Sequence, residues 1–131
     1  MANVAELATS GLVLTVPAAS DARQLVLTRG RIVLTTSGAI DATNSVTPGG
    51  FTVTKETGTG LYSVTHPETV RGSVFWQYYN AAGGNTLGQT GDIHTLGATA
   101  KSQIQVFTLA SGDAADGASG DYIDWIFVGE R

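Results

Sequence analysis

Two histidines, His66 and His94, are the side chains whose ordinary titration falls near neutral pH, so they are the first places to look for acid–base chemistry. His94 stands two positions after Asp92. On a strand both would face one side, close enough for a hydrogen bond. A hydrolytic triad also needs a nucleophile converging on that base, and no Gly-x-Ser-x-Gly elbow exists to supply one. The pair reads as a polar strand end, and the chain as a non-enzyme. Asp113, Asp116, Asp121 and Asp124 put four carboxylates within twelve positions, among Gly and Ser. Such oxygens suit Ca²⁺, but the spacing lacks the alternating ligands and closing glutamate of an EF-hand. It also lacks the repeated glycine-rich nonapeptide of calcium-binding β-helices. Asp and Gly are equally the residues of a long hairpin loop, since both tolerate left-handed backbone. The expectation is a loop with no metal and no cofactor. Gly49-Gly50 and Gly83-Gly84 lack the helix and Lys-Ser/Thr that follow in a phosphate loop, and read as loop tips. Trp76, Tyr78 and Tyr79 offer the aromatic surface a sugar could stack on; core or interface packing is the reading preferred for them.

Composition narrows the classes further. The chain has 131 residues, 42% hydrophobic and only 14% charged, with no cysteine. Disulfide scaffolds, thiolate metal sites and cysteine nucleophiles are excluded. The length fits one domain with one core. Low charge with ample apolar content is the opposite of a disordered composition. The formal net charge is −4, and the seven basic residues are scattered, with only Arg29 and Arg31 close together. No basic stripe faces a phosphate backbone, so no nucleic-acid partner is expected. No stretch approaches the ~20 apolar residues of a membrane span. Met1 to Leu14 has no basic residue before its apolar part, so neither a signal peptide nor a membrane partner is expected.

The elements that must position these residues are strands. Helical periodicity is confined to Asn3–Ser10, where Val4, Leu7 and Ala8 would share a face. That is too short to stand alone and reads as an arm or a single turn. Short β-branched or alternating runs follow: Gly11–Val16, Gln24–Thr28, Ile32–Thr36, Phe51–Lys55, Leu61–His66, Ser73–Tyr79, Asp92–Leu96, Ser102–Leu109 and Asp121–Val128. Arg29-Gly30-Arg31 reads as a bend, Ser37–Gly50 and Asn80–Gly91 as loops, and Phe51–His66 as a hairpin. The expected architecture is all-β: an antiparallel β-sandwich or jelly roll of about eight strands. Residues 1–11 form a short N-terminal arm and residues 12–131 a single domain.

Two strands break the usual pattern of one buried and one wet face. Ser73–Tyr79 carries Val74, Trp76 and Tyr78 on one face and Phe75 and Tyr79 on the other. Asp121–Val128 carries Ile123, Trp125 and Phe127 against Tyr122, Ile126 and Val128. An arm or loop of the same chain could cover the second face. Assembly with sister subunits is the favoured reading, because aromatics are enriched at interfaces and the chain is poor in charge. Phe75, Trp76, Tyr78, Tyr79, Trp125 and Phe127 are therefore expected at a subunit interface or in the core.

The second half resembles a family of small structural proteins of tailed bacteriophages. The resemblance rests on Gly58-Thr-Gly-Leu-Tyr-Ser-Val-Thr65, then Ser102–Leu109, then Ala115-Asp-Gly-Ala-Ser-Gly-Asp121, then the closing strand to Phe127. It spans roughly residues 51–131; the first fifty residues carry no such pattern, and Gly129-Glu130-Arg131 stands where the family usually has Arg-Asn. The resemblance implies a jelly roll like those of tumour-necrosis-factor and complement-type domains. It also implies a homotrimer placed on the capsid surface of a virion as a decoration or cement protein, its partners being itself and the major capsid protein. Val4, Leu7 and Leu12 are the residues expected to anchor the arm to the shell, since a short apolar arm can add a strand to a partner's edge. The alternative readings are a receptor-binding head of a tail fibre or spike, and a carbohydrate-binding module.

Overall fold

The computed structural model describes residues 4–8, 11–17, 22–67, 69–81, 86–90, 101–108 and 112–131, with side chains at 24–67, 69–81, 101–106 and 112–131. Among these residues the chain is all-β, in two antiparallel sheets. The strands are β1 (Val4–Ala8), β2 (Gly11–Pro17), β3 (Ala22–Val33), β4 (Thr52–Lys55), β5 (Leu61–Thr65), β6 (Arg71–Tyr79), β7 (Thr86–Thr90), β8 (Lys101–Thr108) and β9 (Tyr122–Glu130). One sheet runs β1-β2-β3-β9-β6 and the other β4-β5-β8-β7. No helix among the described residues is long and apolar enough to cross a membrane.

Alternation decides what each strand buries. In β3, Val26, Thr28 and Ile32 point inward, while Leu25, Leu27, Arg29 and Arg31 point out. In β9, Ile123, Trp125 and Phe127 point inward. The four-stranded sheet supplies Tyr62, Val64, Ile104 and Val106 to the same cluster, so both sheets close one core. Phe51 sits in its middle, with ring centroids 5.6 Å from Trp125 and 5.2 Å from Phe127.

Three expectations need correction. Residues 4–8 are not a helical turn but β1, paired with β2 so that Val4 faces Thr15 and Leu7 faces Leu12. A two-stranded extension of an existing sheet satisfies the backbone that a lone helical turn leaves open. Thr86–Thr90 is a strand, not loop, and pairs with β8. Arg29-Gly30-Arg31 does not bend: β3 runs straight through it, paired to β9 from Leu25 to Val33. The glycine is there for room. Gly30 lies opposite Trp125, and a Cβ on it would stand 2.3 Å from the indole Cζ2 and 2.7 Å from the carbonyl oxygen of Val46. The Ser37–Gly50 segment folds back beside β3, where Arg31 and Val46 exchange backbone hydrogen bonds of 2.9 and 2.8 Å. The expected Asp92–Leu96 strand lies outside the described residues.

Candidate interaction face

The outer surface of the five-stranded sheet is where the chain departs from an ordinary surface. Leu25, Leu27, Phe75, Ile126 and Val128 are between 37% and 59% exposed. Register places them together. Leu27 is opposite Val128, and Phe75 is opposite Ile126. The patch thus crosses three adjacent strands, β3, β9 and β6. The outer surface of the other sheet, where its side chains are described, is built from Thr52, Thr54, Leu61, Ser63, Thr65, Lys101, Gln103 and Gln105, which pair with one another across β4, β5 and β8. Among the side chains described there no large apolar one is exposed, and Leu61 is half-buried. Ser63 is buried on that side, donating to Glu56 at 2.6 Å, and Lys101 completes the group at 3.1 Å from the same carboxylate. Those two bonds, Ser63 first, hold the Glu56 carboxyl below its usual range.

Beyond the apolar patch, toward the other end of β9, the same face turns polar and aromatic. Arg31 binds Asp124 with two hydrogen bonds, Nε to Oδ1 at 2.5 Å and an Nη to Oδ2 at 2.8 Å. The hydrogen bonds to Asp124 hold the guanidinium pKa above its ordinary value. Its Cζ lies 4.1 Å from the centre of the Tyr122 ring, while Tyr79 stacks on Tyr122 at 4.5 Å with an 18° tilt. Two groups that close to one ring must take opposite sides of it. The result is a fixed ladder: Asp124, Arg31, Tyr122, Tyr79.

The four aspartates go to separate tasks. Asp121 is buried and accepts from the Tyr78 hydroxyl and from the backbone N–H of Ala81 at 2.8 Å and Ala118 at 2.9 Å. Burial and this carboxylate push the Tyr78 hydroxyl pKa up. Asp116 accepts from the Gly60 N–H at 2.7 Å and pairs with Lys55 at 3.0 Å, which keeps its own pKa low. Asp124 belongs to the ladder, and Asp113 is exposed. Among the described residues no group of three or more His, Asp or Glu side chains could hold a metal. Tyr62 donates to the Gly38 carbonyl at 2.8 Å, and burial pushes its pKa up to about 12. His66 is buried, 3.1 Å from the Pro67 carbonyl through Nδ1 and packed on Phe127. His94 and Asp92 lie outside the described residues.

Of the expected interface or core residues, Tyr78, Trp125 and Phe127 are in the core and Trp76 packs half-buried against it. Phe75 and Tyr79 face out. The aromatic platform imagined from Trp76, Tyr78 and Tyr79 therefore does not form, because Tyr79 is on the opposite face from the other two. Tyr79's partner is Tyr122. Leu25, Leu27 and Arg31 join the face without having been singled out. The unbroken Leu25-Val26-Leu27 run, apolar at successive positions, is the signal that could have found the first two. The shell-anchoring residues Val4, Leu7 and Leu12 lie in β1 and β2. No family model, curated protein or solved structure matches the chain.

Proposed function

We propose that this chain is a structural protein of a bacteriophage virion, a capsid decoration or cement protein that acts by binding, as a homotrimer, on a jelly-roll sandwich. The observation that carries the reading is the asymmetry of the two outer faces: among the described side chains, one is mostly Thr, Ser, Gln and Lys with a half-buried Leu61, and the other exposes five large apolar side chains, four of them in two register pairs. Leaving such side chains wet forgoes about 1.5–3 kcal/mol for each that could be fully covered. A contiguous patch of them is the mark of a surface meant to be covered. Sister copies in a closed cyclic assembly cover it most simply. The trimeric state and the capsid location come from the resemblance of residues 51–131 to phage structural proteins.

Shell contact falls to the other end of the same sheet. β1 is its terminal strand, so its free edge offers main-chain groups to a capsid strand. Three copies presented together would raise a weak contact by ~10²–10⁴ in avidity. Two experiments test the reading. Antibody labelling of virions should decorate the whole shell, and labelling confined to the tail would overturn the capsid assignment. Deleting Met1–Thr9 should leave a folded trimer that no longer coats shells; coating with unchanged affinity would move the contact elsewhere.

A further inference from the structure

We propose that the polar, aromatic half of the five-stranded sheet's outer face binds an oligosaccharide that carries an acidic sugar. The inference does not rest on the capsid reading. It starts from two adjoining clefts that share Asp124. The larger, about 450 Å³, is lined by Arg29, Arg31, Asn44, Val46 and Ile126 among others. The smaller, about 170 Å³, is lined by Gln77, Tyr78, Tyr79, Tyr122 and Asp124. From β3 to β6 the pair crosses two strand spacings, roughly 10 Å, a span suited to two or three sugar rings.

The chemistry of the lining fits that ligand class. Sugars are bound by planar polar groups that reach adjacent hydroxyls and by aromatic faces that cover C–H surfaces. Arg31 and Asp124 are planar groups already locked to each other, so little side-chain freedom remains to be lost on binding. Asn44 uses its amide nitrogen on Asp41 at 2.7 Å, which leaves its side-chain carbonyl as an acceptor. Gln77 stands opposite Asp124 in the register. Tyr79 has one ring face on Tyr122 and is half exposed, so its other side is a stacking surface.

Charge identifies the acid. Asp124 neutralises Arg31, whereas Arg29 is exposed and has no ion-pair partner among the described residues. Among the described residues the larger cleft therefore holds one uncompensated cation. A chain of net charge −4 repels polyanions, so the match is a single carboxylate on an otherwise neutral saccharide.

The test is a glycan array of oligosaccharides ending in sialate or uronate beside their neutral parents. Calorimetry on the best-retained glycan follows, using the intact protein and two surface variants, Arg29→Gln and Tyr79→Ala. The expected result is retention of acidic glycans about tenfold or more above their neutral parents. Arg29→Gln should erase that preference, Tyr79→Ala should weaken acidic and neutral glycans alike, and both variants should keep the native melting temperature and mass. Three results would overturn the proposal: no glycan retained above the Tyr79→Ala protein, equal binding of acidic and neutral forms, or loss of oligomeric mass in the variants without any glycan binding. The last would make these residues the polar rim of the subunit interface.

Discussion

The two sheets share one core but present opposite outer faces. On β4, β5 and β8 the outward positions whose side chains are described are Thr, Ser, Gln and Lys with the half-buried Leu61, close to an ordinary solvated antiparallel sheet. On β3, β9 and β6 the outward positions include Leu25, Leu27, Phe75, Ile126 and Val128. Strand propensity does not explain the difference, because threonine serves a strand as well as isoleucine does. The first face suits water, and in the proposed assembly sister chains cover the second. The contrast also runs along the second face, where apolar pairs give way to the Arg31–Asp124 and Tyr122–Tyr79 contacts.

The comparison breaks most severely from inside. Trp125 is 1% exposed and ties β9 to Phe51 across the core. Trp125→Ala should lose about 3–5 kcal/mol of folding stability in denaturant titration. Gly30→Ala should follow at about 1–3 kcal/mol, because the added methyl meets the indole and a carbonyl at once. A wild-type melting curve for that variant would mean the indole does not lie over β3.

Acid sharpens the picture on the polar side. The Gly60 N–H, with Lys55, holds the Asp116 carboxyl below its usual range, and Ser63 with Lys101 does the same for Glu56. A carboxyl whose folded pKa is depressed adds stability above the unfolded value of about 4, and that stability is lost as the pH falls through the folded value. The melting temperature should therefore fall on acidification below about pH 4. Asp116→Asn should flatten part of that fall while lowering stability at neutral pH. A slope identical to wild type would show that the Gly60 contact contributes nothing.

The smallest effect on folding belongs to the apolar patch. Phe75→Ser should shift the stability of the isolated chain by under about 0.5 kcal/mol, as for other surface substitutions. A loss comparable to that of Trp125→Ala would place Phe75 in the core and erase the distinction between the faces.

Much of this was legible in the sequence. The two faces of Ser73–Tyr79 and Asp121–Val128 separate as alternation says they should, with Val74, Tyr78, Ile123, Trp125 and Phe127 buried and Phe75, Ile126 and Val128 out. What sequence hid depends on register between distant segments. Arg31 meets Asp124 because β3 pairs with β9 at that offset, and neither residue carries a local sign of it. Gly30 resembled a turn residue because a glycine kept for clearance and one kept for backbone freedom look the same in a string. Asn3–Ser10 suggested a helical turn because so short a run does not separate a period of two from one of 3.6. The aspartate segment is a loop but not the expected hairpin: it carries the chain from β8 in one sheet to β9 in the other, and the bond from Tyr78 to Asp121 joins residues with no spacing rule between them.

The central claim is that sister chains cover the apolar face of the five-stranded sheet. Light scattering on the native protein and on a Phe75→Ser, Ile126→Ser double variant tests it directly. The native protein should weigh three times its 13.5 kDa chain, and the double variant should be a folded monomer with a native circular-dichroism spectrum. A native monomer at every concentration, or a double variant that keeps the full trimer mass, would contradict the account.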